Sequence, residues 1–374
     1  MNILFITEDH SPNNYGVTTA LSQFADQLVQ RQNNVVLVAT GTNAVSQLEQ
    51  VQIELISPKK LGAAWRWSPN LVSRINNLIS RYNIDIIHIH GVWMAAQWAG
   101  LKAARQTGTP LILSVHGMWE QWFWKEDNFL RICKKNIYFG FVLRQVISFN
   151  TILHAITPIE KKSIHHLFPY NRIELIPNAI YVDKSTSIKI KPEKMILFIG
   201  RLHPKKGVEL LLYGFSKAKL GQEWRLVIAG PEEDAAYSKM LKDDAVRYGL
   251  SEQVNFIGPV YGKEKWELIR KAWVIVVPSF SEVVGMVNLE AASCCIPTIT
   301  TYPTGLLDWQ QGGGLLINPD IDSLANSLIF ACGWSLDERI ERGEQSRQLV
   351  LDNYSWDAVM PQWEKLYANV AKLR

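Results

Sequence analysis

Cysteine is scarce in this chain: Cys133, Cys294, Cys295 and Cys332 are the only ones in 374 residues, and no two stand in a C-x-x-C spacing. That excludes a disulfide-stapled scaffold and a cysteine-rich zinc module. Cys294 and Cys295 are adjacent in an alanine-rich stretch and read as small buried residues in a reduced, cytoplasmic setting. Long apolar runs are missing as well. A membrane-spanning helix needs about 18 uncharged apolar residues, and the nearest approach, 137–153, is broken by Arg144, Gln145 and Asn150. The opening MNILFITEDH has no basic n-region and reaches Glu8 and Asp9 early, so a first strand is expected there and not a signal peptide. Neither sign of charge dominates: 39 Lys and Arg face 35 Asp and Glu, a net +4 with a pI near 8.7. Such mild basicity does not argue for nucleic acid; it suits an anionic small molecule or an anionic membrane surface. Short repeats and low-complexity tracts are absent. No G-x-G-x-x-G follows the apolar runs at 3–6 or 195–199, and the glycines at 312–314 precede no helical pattern, which disfavours a nicotinamide-dinucleotide enzyme.

What the chain has is a globular composition, 47% hydrophobic and 20% charged, and a length that suggests two domains at about 150 residues each. Short apolar runs (ILFI, NVVLVAT, QIELIS, DIIHIHG, PLILSVHG) alternate with longer helical patterns, and the alternation restarts after Lys191 with KMILFIG, WRLVIAG, VNFIG, WVIVVPS, IPTITT and GLLIN. Continuous apolar runs separated by helices predict buried parallel strands with helical crossovers. The polar, unpatterned YVDKSTSIKIKPEK between the two series reads as a linker. The fold class is therefore α/β, with two Rossmann-like doubly wound domains: residues 1–182, residues 183–355, and a helix from 356 to 374 expected to cross back to the first. Ligands of such sheets bind outside the carboxyl ends of the strands, so a cleft between the domains is expected.

Two glutamates, Glu282 and Glu290, flank Gly285 in VIVVPSFSEVVGMVNLEAA, just past a predicted strand. Gly285 permits positive φ and close backbone approach. A helix starting there offers the N–H groups of Met286 and Val287 to an anion. The glutamates would then accept bonds from hydroxyls, which points to a phosphate flanked by sugars. The alternative is two solvated carboxylates favoured by the helix dipole. In LFIGRLHPKKGVELLL, Arg201 follows a strand and Lys206 precedes a helix, at the same sheet edge. Arg grips phosphate oxygens bidentately and Lys adds a point charge; a solvated basic loop is the alternative. Together, the two constellations favour a diphosphate site.

These stretches resemble the retaining glycosyltransferases of family 4, or group 1, which have the GT-B fold. FIGRLHPKKGVELLLYGF is similar to the family's G-R-L-x-x-x-K-G signature, and PSFSEVVGMVNLEAA to its E-x7-E motif. IELIPNAIY resembles the element before the domain linker, and NYSWDAVMPQWEKLY the terminal crossing helix. The resemblance implies a nucleotide-diphosphate-sugar donor, UDP- or GDP-linked, held mainly by the second domain. Arg201 and Lys206 would neutralise its diphosphate, Glu290 would hold the ribose, and Glu282 with the backbone of Gly285, Met286 and Val287 would meet sugar and phosphate. Val260 joins the donor-binding set, Gly16 would sit in a loop opening toward the diphosphate, and His116 would lie near the sugar. On this view Glu282, His116, Arg201 and Lys206 are the catalytic set, with retention of configuration. The chain departs from the family pattern at Val284, where Phe is common, at Val17, where a second Gly is frequent, and at Ala179, where Gly is usual.

The positive groups make a metal unnecessary, so no cofactor is expected. The single D-x-D, Asp320 and Asp322, reads as a helix start with Asp322 as cap. His88 and His90 share a strand face and are expected to be buried or cleft-lining, not metal-bound. His165 and His166 are expected at the surface. The stretch 116–146 interleaves Trp119, Trp122, Phe123, Trp124, Tyr138, Phe139 and Phe141 with Lys125, Arg131, Lys134, Lys135 and Arg144. It reads either as a core-facing helix pair or as a surface for an acceptor and an anionic membrane, with Trp119, Trp122, Trp124, Lys134 and Lys135 at its centre and Trp65 and Trp67 adding to it. The function expected is transfer of a sugar to a saccharide or lipid-linked saccharide in bacterial-type polysaccharide synthesis, in the cytoplasm or peripherally at the inner face of the plasma membrane. The rivals are an epimerase or phosphorylase on the same fold, or a non-catalytic nucleotide-sugar-binding subunit.

Overall fold

A computed structural model describes residues 1–10, 15–41, 48–60, 65–119, 129–183 and 191–372. The chain divides into two compact units, Met1–Ala179 with Val359–Arg374, and Ile180–Ala358.

Among the described residues the first unit holds a parallel seven-stranded sheet: β1 (Asn2–Thr7), β2 (Asn34–Thr40), β3 (Gln52–Ile56), β4 (Ile86–His90), β5 (Leu111–Ser114), β6 (Ile152–Ala155) and β7 (Ile173–Leu175), in the order 3-2-1-4-5-6-7. The second holds six: β8 (Met195–Ile199), β9 (Arg225–Ala229), β10 (Val254–Gly258), β11 (Val274–Val277), β12 (Thr298–Thr301) and β13 (Leu315–Ile317), in the order 10-9-8-11-12-13. The apolar runs are continuous because both faces are covered. In the second sheet Ile196, Phe198, Leu226, Ile228, Val274 and Val276 enter one core, while Leu197, Val227, Ile275 and Val277 enter another. The same alternation of faces with no polar face is what parallel sheets between helical layers require.

The order reverses at β1, between β2 and β4, and at β8, between β9 and β11. A crevice outside the carboxyl ends opens where strand order reverses. In the first unit the helices α1 (Tyr15–Gln30), α2 (Leu71–Arg81), α3 (Ala95–Thr107), α4 (Phe129–Ile137) and α5 (Pro158–Leu167) flank the sheet, with a π-helical stretch at Tyr138–Leu143. In the second, α6 (Val208–Ala218), α7 (Ala235–Arg247), α8 (Gly262–Lys271), α9 (Met286–Ser293), α10 (Ile321–Cys332) and α11 (Leu336–Asn353) do so. The last helix, α12 (Trp356–Ala371), buries Val359, Met360, Trp363, Tyr367 and Val370. That helical spacing turns one face onto the first unit's core, where Trp363 meets Phe24 at 4.8 Å and His154 at 4.6 Å between ring centroids.

Several expectations are corrected. Trp119 is not at a surface: it is 2% exposed and packs on Phe168 (5.0 Å) and edge-on to Phe139 (5.8 Å). Packing against two rings takes a large apolar indole surface out of water. Trp65 also turns inward, against Trp98 and Tyr138, with its indole N–H on the Trp93 carbonyl at 3.1 Å; Trp67 stays 37% exposed. Trp122, Trp124, Phe123 and Lys125 lie outside the described residues. The cap of α10 is Asp320, whose carboxylate accepts from the Ser323 N–H at 2.8 Å; Asp322, in the first turn, pairs with Lys217. His165 and His166 are exposed. No helix among the described residues is long and apolar enough to cross a membrane.

Candidate functional site

The reversal in the second sheet falls between β8 and β11, and these are the strands that lead into the two motifs. After β8 the chain passes Arg201 and makes a 3-10 turn, Pro204–Lys206, which the His203 ring caps by accepting the Lys205 N–H at 3.1 Å. Gly207 closes the turn at φ 70°. A Cβ there would sit 2.2 Å from the Pro278 carbonyl oxygen, just beyond β11. The Phe280 N–H donates to the Lys205 carbonyl at 2.9 Å. The two motif loops are thus joined backbone to backbone, which fixes Lys206 over the end of β11. Gly207→Ala is expected to cost about 3 kcal/mol, from positive φ and the backbone clash together. Thermal unfolding checks this; a midpoint within about 1 °C of the parent contradicts it.

Helix α9 begins at Met286, with Gly285 as N-cap. Gly285 has φ −75°, so it does not use the left-handed region; it is needed for space, because a Cβ would meet Asn288 Nδ2 at 2.6 Å. The expectation that the Met286 amide is free is also corrected. It donates to the Val284 carbonyl at 2.9 Å, and the Asn288 amide to Gly285 at 2.8 Å. A helix start leaves its first amides without intrahelical partners, and here a tight turn before the helix takes some of them. The helix is pinned by a buried polar chain. Asn288 Nδ2 donates to Thr300 Oγ1 (3.0 Å), Thr298 Oγ1 donates to Asn288 Oδ1 (2.8 Å), and the Trp309 N–H donates to Thr298 Oγ1 (2.7 Å). Every member finds a partner, the condition under which buried polar groups hold a fixed geometry.

All the charged candidates are paired. Lys206 binds Glu282, whose Oε1 also accepts from Ser279 Oγ at 3.0 Å. Lys265, on α8, donates to Glu290 Oε1 at 2.7 Å and lies 2.7 Å from Oε2, which has no hydrogen-bond partner among the described residues. Arg201 binds Glu233 at 2.8 Å. The first two pairs have side chains only 14–22% exposed, whereas Arg201 and Glu233 are 56% and 40% exposed. Solvent screens the last pair to within about 1 kcal/mol, while losing one partner of the others strands a charge. The loops therefore bring Lys206 to Glu282, and put Arg201 and Glu290 at the carboxyl ends of the same sheet. Val260 is buried after β10 and Val287 is half-buried in α9. Sequence reasoning missed Lys265 and Glu233.

In the first unit Gly16 stands in the first turn of α1, not in the loop before it. Gly is tolerated there because that turn lacks intrahelical N–H bonds in any case. Lys134 is exposed, and Lys135 lies 5.8 Å from the Trp93 ring centroid. His88 and His90 are buried and stack on each other at 4.2 Å. His116, two residues past β5, has φ 54°, and its Nε2 lies 3.0 Å from His90 Nδ1. Next to it, the Gly117 amide donates to the buried Glu160 carboxylate. Burial holds the His88 and His90 rings well below the usual histidine range, with the neighbouring imidazoles adding to it. Burial also lowers His116 to about 4 and His154 to about 3, the latter opposed by its bond to the Ile176 carbonyl. Among the described residues no group of three or more His, Cys, Asp or Glu is placed to hold a metal ion.

Comparison with known proteins gives two family matches: Glycosyltransferase Family 4 over residues 15–184 and Glycosyl transferases group 1 over residues 183–333. The chain is 32% identical over 179 residues to an uncharacterized glycosyltransferase of Methanocaldococcus jannaschii, covering 47% of this chain and 45% of that protein. It is 26% identical to the phosphatidylinositol N-acetylglucosaminyltransferase gpi3 subunit of Schizosaccharomyces pombe, over 79% of this chain and 63% of that one. To the GDP-mannose:cellobiosyl-diphosphopolyprenol alpha-mannosyltransferase of Xanthomonas oryzae it is 24% identical, over 74% and 72%. The match thus spans about half to two thirds of the first two relatives. Among solved structures, sucrose-phosphate synthase of Thermosynechococcus elongatus aligns with a TM-score of 0.78 at 18% identity over both whole chains. HepE of Anabaena, in complex with UDP and glucose, aligns at 0.77 and 17% over 99% and 100%. These likenesses show the fold, GT-B.

Proposed function

Because the chain belongs to the glycosyltransferases of family 4 and group 1, we propose that it moves a sugar from a UDP- or GDP-linked donor to a saccharide or lipid-linked saccharide, with retention and without a metal. The observation that carries this reading is the junction of the two motif loops: Lys206 and Arg201 on one, Glu282 and the start of α9 on the other, at the carboxyl ends of adjacent strands. Departure of a nucleoside diphosphate builds negative charge on its β-phosphate while the sugar becomes cationic. Lys206, Arg201 and the start of α9 stabilise that charge, and preorganised electrostatics of this kind usually contributes more to catalysis than any other single effect. The diphosphate replaces carboxylates: Lys206 and Arg201 exchange Glu282 and Glu233 for phosphate oxygens, which frees Glu282 for sugar hydroxyls. Lys265 holds Glu290 oriented to accept from the ribose.

The names of two relatives specify a phosphatidylinositol and a diphosphopolyprenol. They support a lipid-anchored acceptor and peripheral contact with an anionic membrane. Exposed Lys134 and the partly exposed Lys135 are retained from the proposed membrane surface; Trp119 is not.

Transfer from a panel of UDP-, GDP-, ADP- and dTDP-sugars to saccharide acceptors tests the proposal. One donor is expected to be consumed, with the sugar recovered on an acceptor, and excess EDTA is expected to leave the rate within about twofold. Consumption of donor without transfer, giving an isomerised sugar, favours an epimerase; a loss of more than about tenfold in EDTA overturns the metal-independent mechanism.

A further inference from the structure

The buried histidines of the first unit contain an order of protons that can be read from their partners. His154 Nε2 lies 2.8 Å from the Ile176 carbonyl, which only accepts, so His154 carries its proton there. Its Nδ1 is then an acceptor, and Ser114 Oγ, at 2.7 Å, donates to it. Ser114 in turn accepts from His88 Nε2 at 2.7 Å, which leaves His88 Nδ1 to accept the Tyr367 hydroxyl at 2.7 Å. The chain runs one way from Tyr367 on α12 to the end of β7, and every member is neutral. His88, His154, Ser114 and Tyr367 are each at most 3% exposed.

His90 stands beside this chain but outside it. It stacks on His88, its ring edge meets Phe5 at 4.9 Å, and it is 4% exposed. Its Nδ1 faces His116 Nε2, and its Nε2 has no partner among the described residues. One proton lies between two neutral rings, and the orphan nitrogen decides its owner. If His116 donated, His90 would carry its own proton on Nε2, a buried N–H with no acceptor. If His90 donates, Nε2 is only an unused lone pair. Buried orphan N–H groups are the rarer and costlier of the two.

We infer that His90 is a positioning residue for His116: it donates through Nδ1 to His116 Nε2, and so fixes His116 as the tautomer with its proton on Nδ1. No described group binds that Nδ1. His116 therefore offers a substrate a neutral N–H donor, suited to a hydroxyl or phosphate oxygen, and not a base. The positive φ of His116 and the Glu160 bond to Gly117 hold the backbone; His90 holds the ring. This rests on the proposed glycosyl transfer for its kinetic consequence, but not for the tautomer itself.

Long-range proton–nitrogen NMR on histidine-labelled protein reads the tautomer directly, with His116 assigned by its loss in His116→Asn. The expected pattern is a protonated Nδ1 and a bare Nε2, unchanged from pH 8 to pH 6. A protonated Nε2, or titration of His116 near pH 6.5, overturns the inference. In kinetics, His90→Phe removes the donor and is expected to lower kcat tenfold to a hundredfold, with donor KM changed less, as for a misplaced catalytic group. His90→Asn, whose amide can occupy the place of Nδ1, is expected to restore kcat to within about threefold of the parent. Equal kcat losses in the two variants, both with the parent's melting temperature, reject the positioning role. Should no donor be turned over by the parent protein, the glycosyl-transfer reading fails while the NMR result still decides the tautomer.

Discussion

Lys206→Ala is expected to lower turnover with the preferred donor by on the order of 10²-fold or more, the cost of one lost stabiliser of a developing oxyanion. Two effects act in the same direction. The cation proposed to meet the departing diphosphate is gone, and Glu282, only 14% exposed, loses its ion-pair partner. A stranded carboxylate repels the phosphate and destabilises the loop. Adding Glu282→Gln to Lys206→Ala is therefore expected to recover stability but not turnover. Arg201→Ala is expected to cost a similar factor in turnover and almost nothing in stability, since the Arg201–Glu233 pair is half exposed. Turnover within threefold of the parent in both single variants removes the diphosphate assignment.

The first unit is expected to lose stability steeply in acid. Burial lowers His88, His90, His116 and His154 in the folded state, the last two to about 4 and about 3. The unfolded chain titrates near 6.5, so below that pH it binds protons that the folded chain refuses. Stability is full above the unfolded value and falls as pH drops through it, until the folded groups themselves protonate near 4 and 3. Each histidine contributes up to about 1.4 kcal/mol per pH unit in that window. The hydroxyls bonded to the cluster are those of Ser114 and Tyr367, the other rings against it, Phe5, Phe24 and Trp363, do not titrate, and Tyr367, raised by its own burial, stays a phenol throughout. Melting temperature is expected to be flat from pH 8 to 7 and to drop progressively from pH 6.5 to 4.5. In His88→Phe, two buried hydroxyls lose a partner at about 1–3 kcal/mol each, and the acid slope becomes shallower by one proton. A melting temperature independent of pH between 7 and 4.5 contradicts the neutral cluster.

The central strands were legible because both of their faces are buried, which leaves a run such as VIVV or ILFI with no polar position to confuse it. The α9 start was legible from Gly285, although the glycine serves space and not positive φ. The ion-pair partners were not. Lys265 lies 25 residues from Glu290, and Glu233 lies 32 from Arg201; no local period links them, and only the stacking of strand ends does. Trp119 misled because alternating aromatic and basic residues fit both a wet surface and a core with lysines at its rim. The histidine chain draws on β4, β5, β6 and α12, so His88 and His90 showed their shared face in the sequence, but His154 and Tyr367 gave no sign of joining them.

The most direct measurement is calorimetric titration of UDP and GDP into the parent protein, Lys206→Ala and Lys206→Ala/Glu282→Gln. One nucleotide is expected to bind the parent, about tenfold to a hundredfold more weakly to both variants, as for loss of a charge-assisted bond. Equal affinity in all three proteins would show that the positive turn beside β11 does not hold the diphosphate.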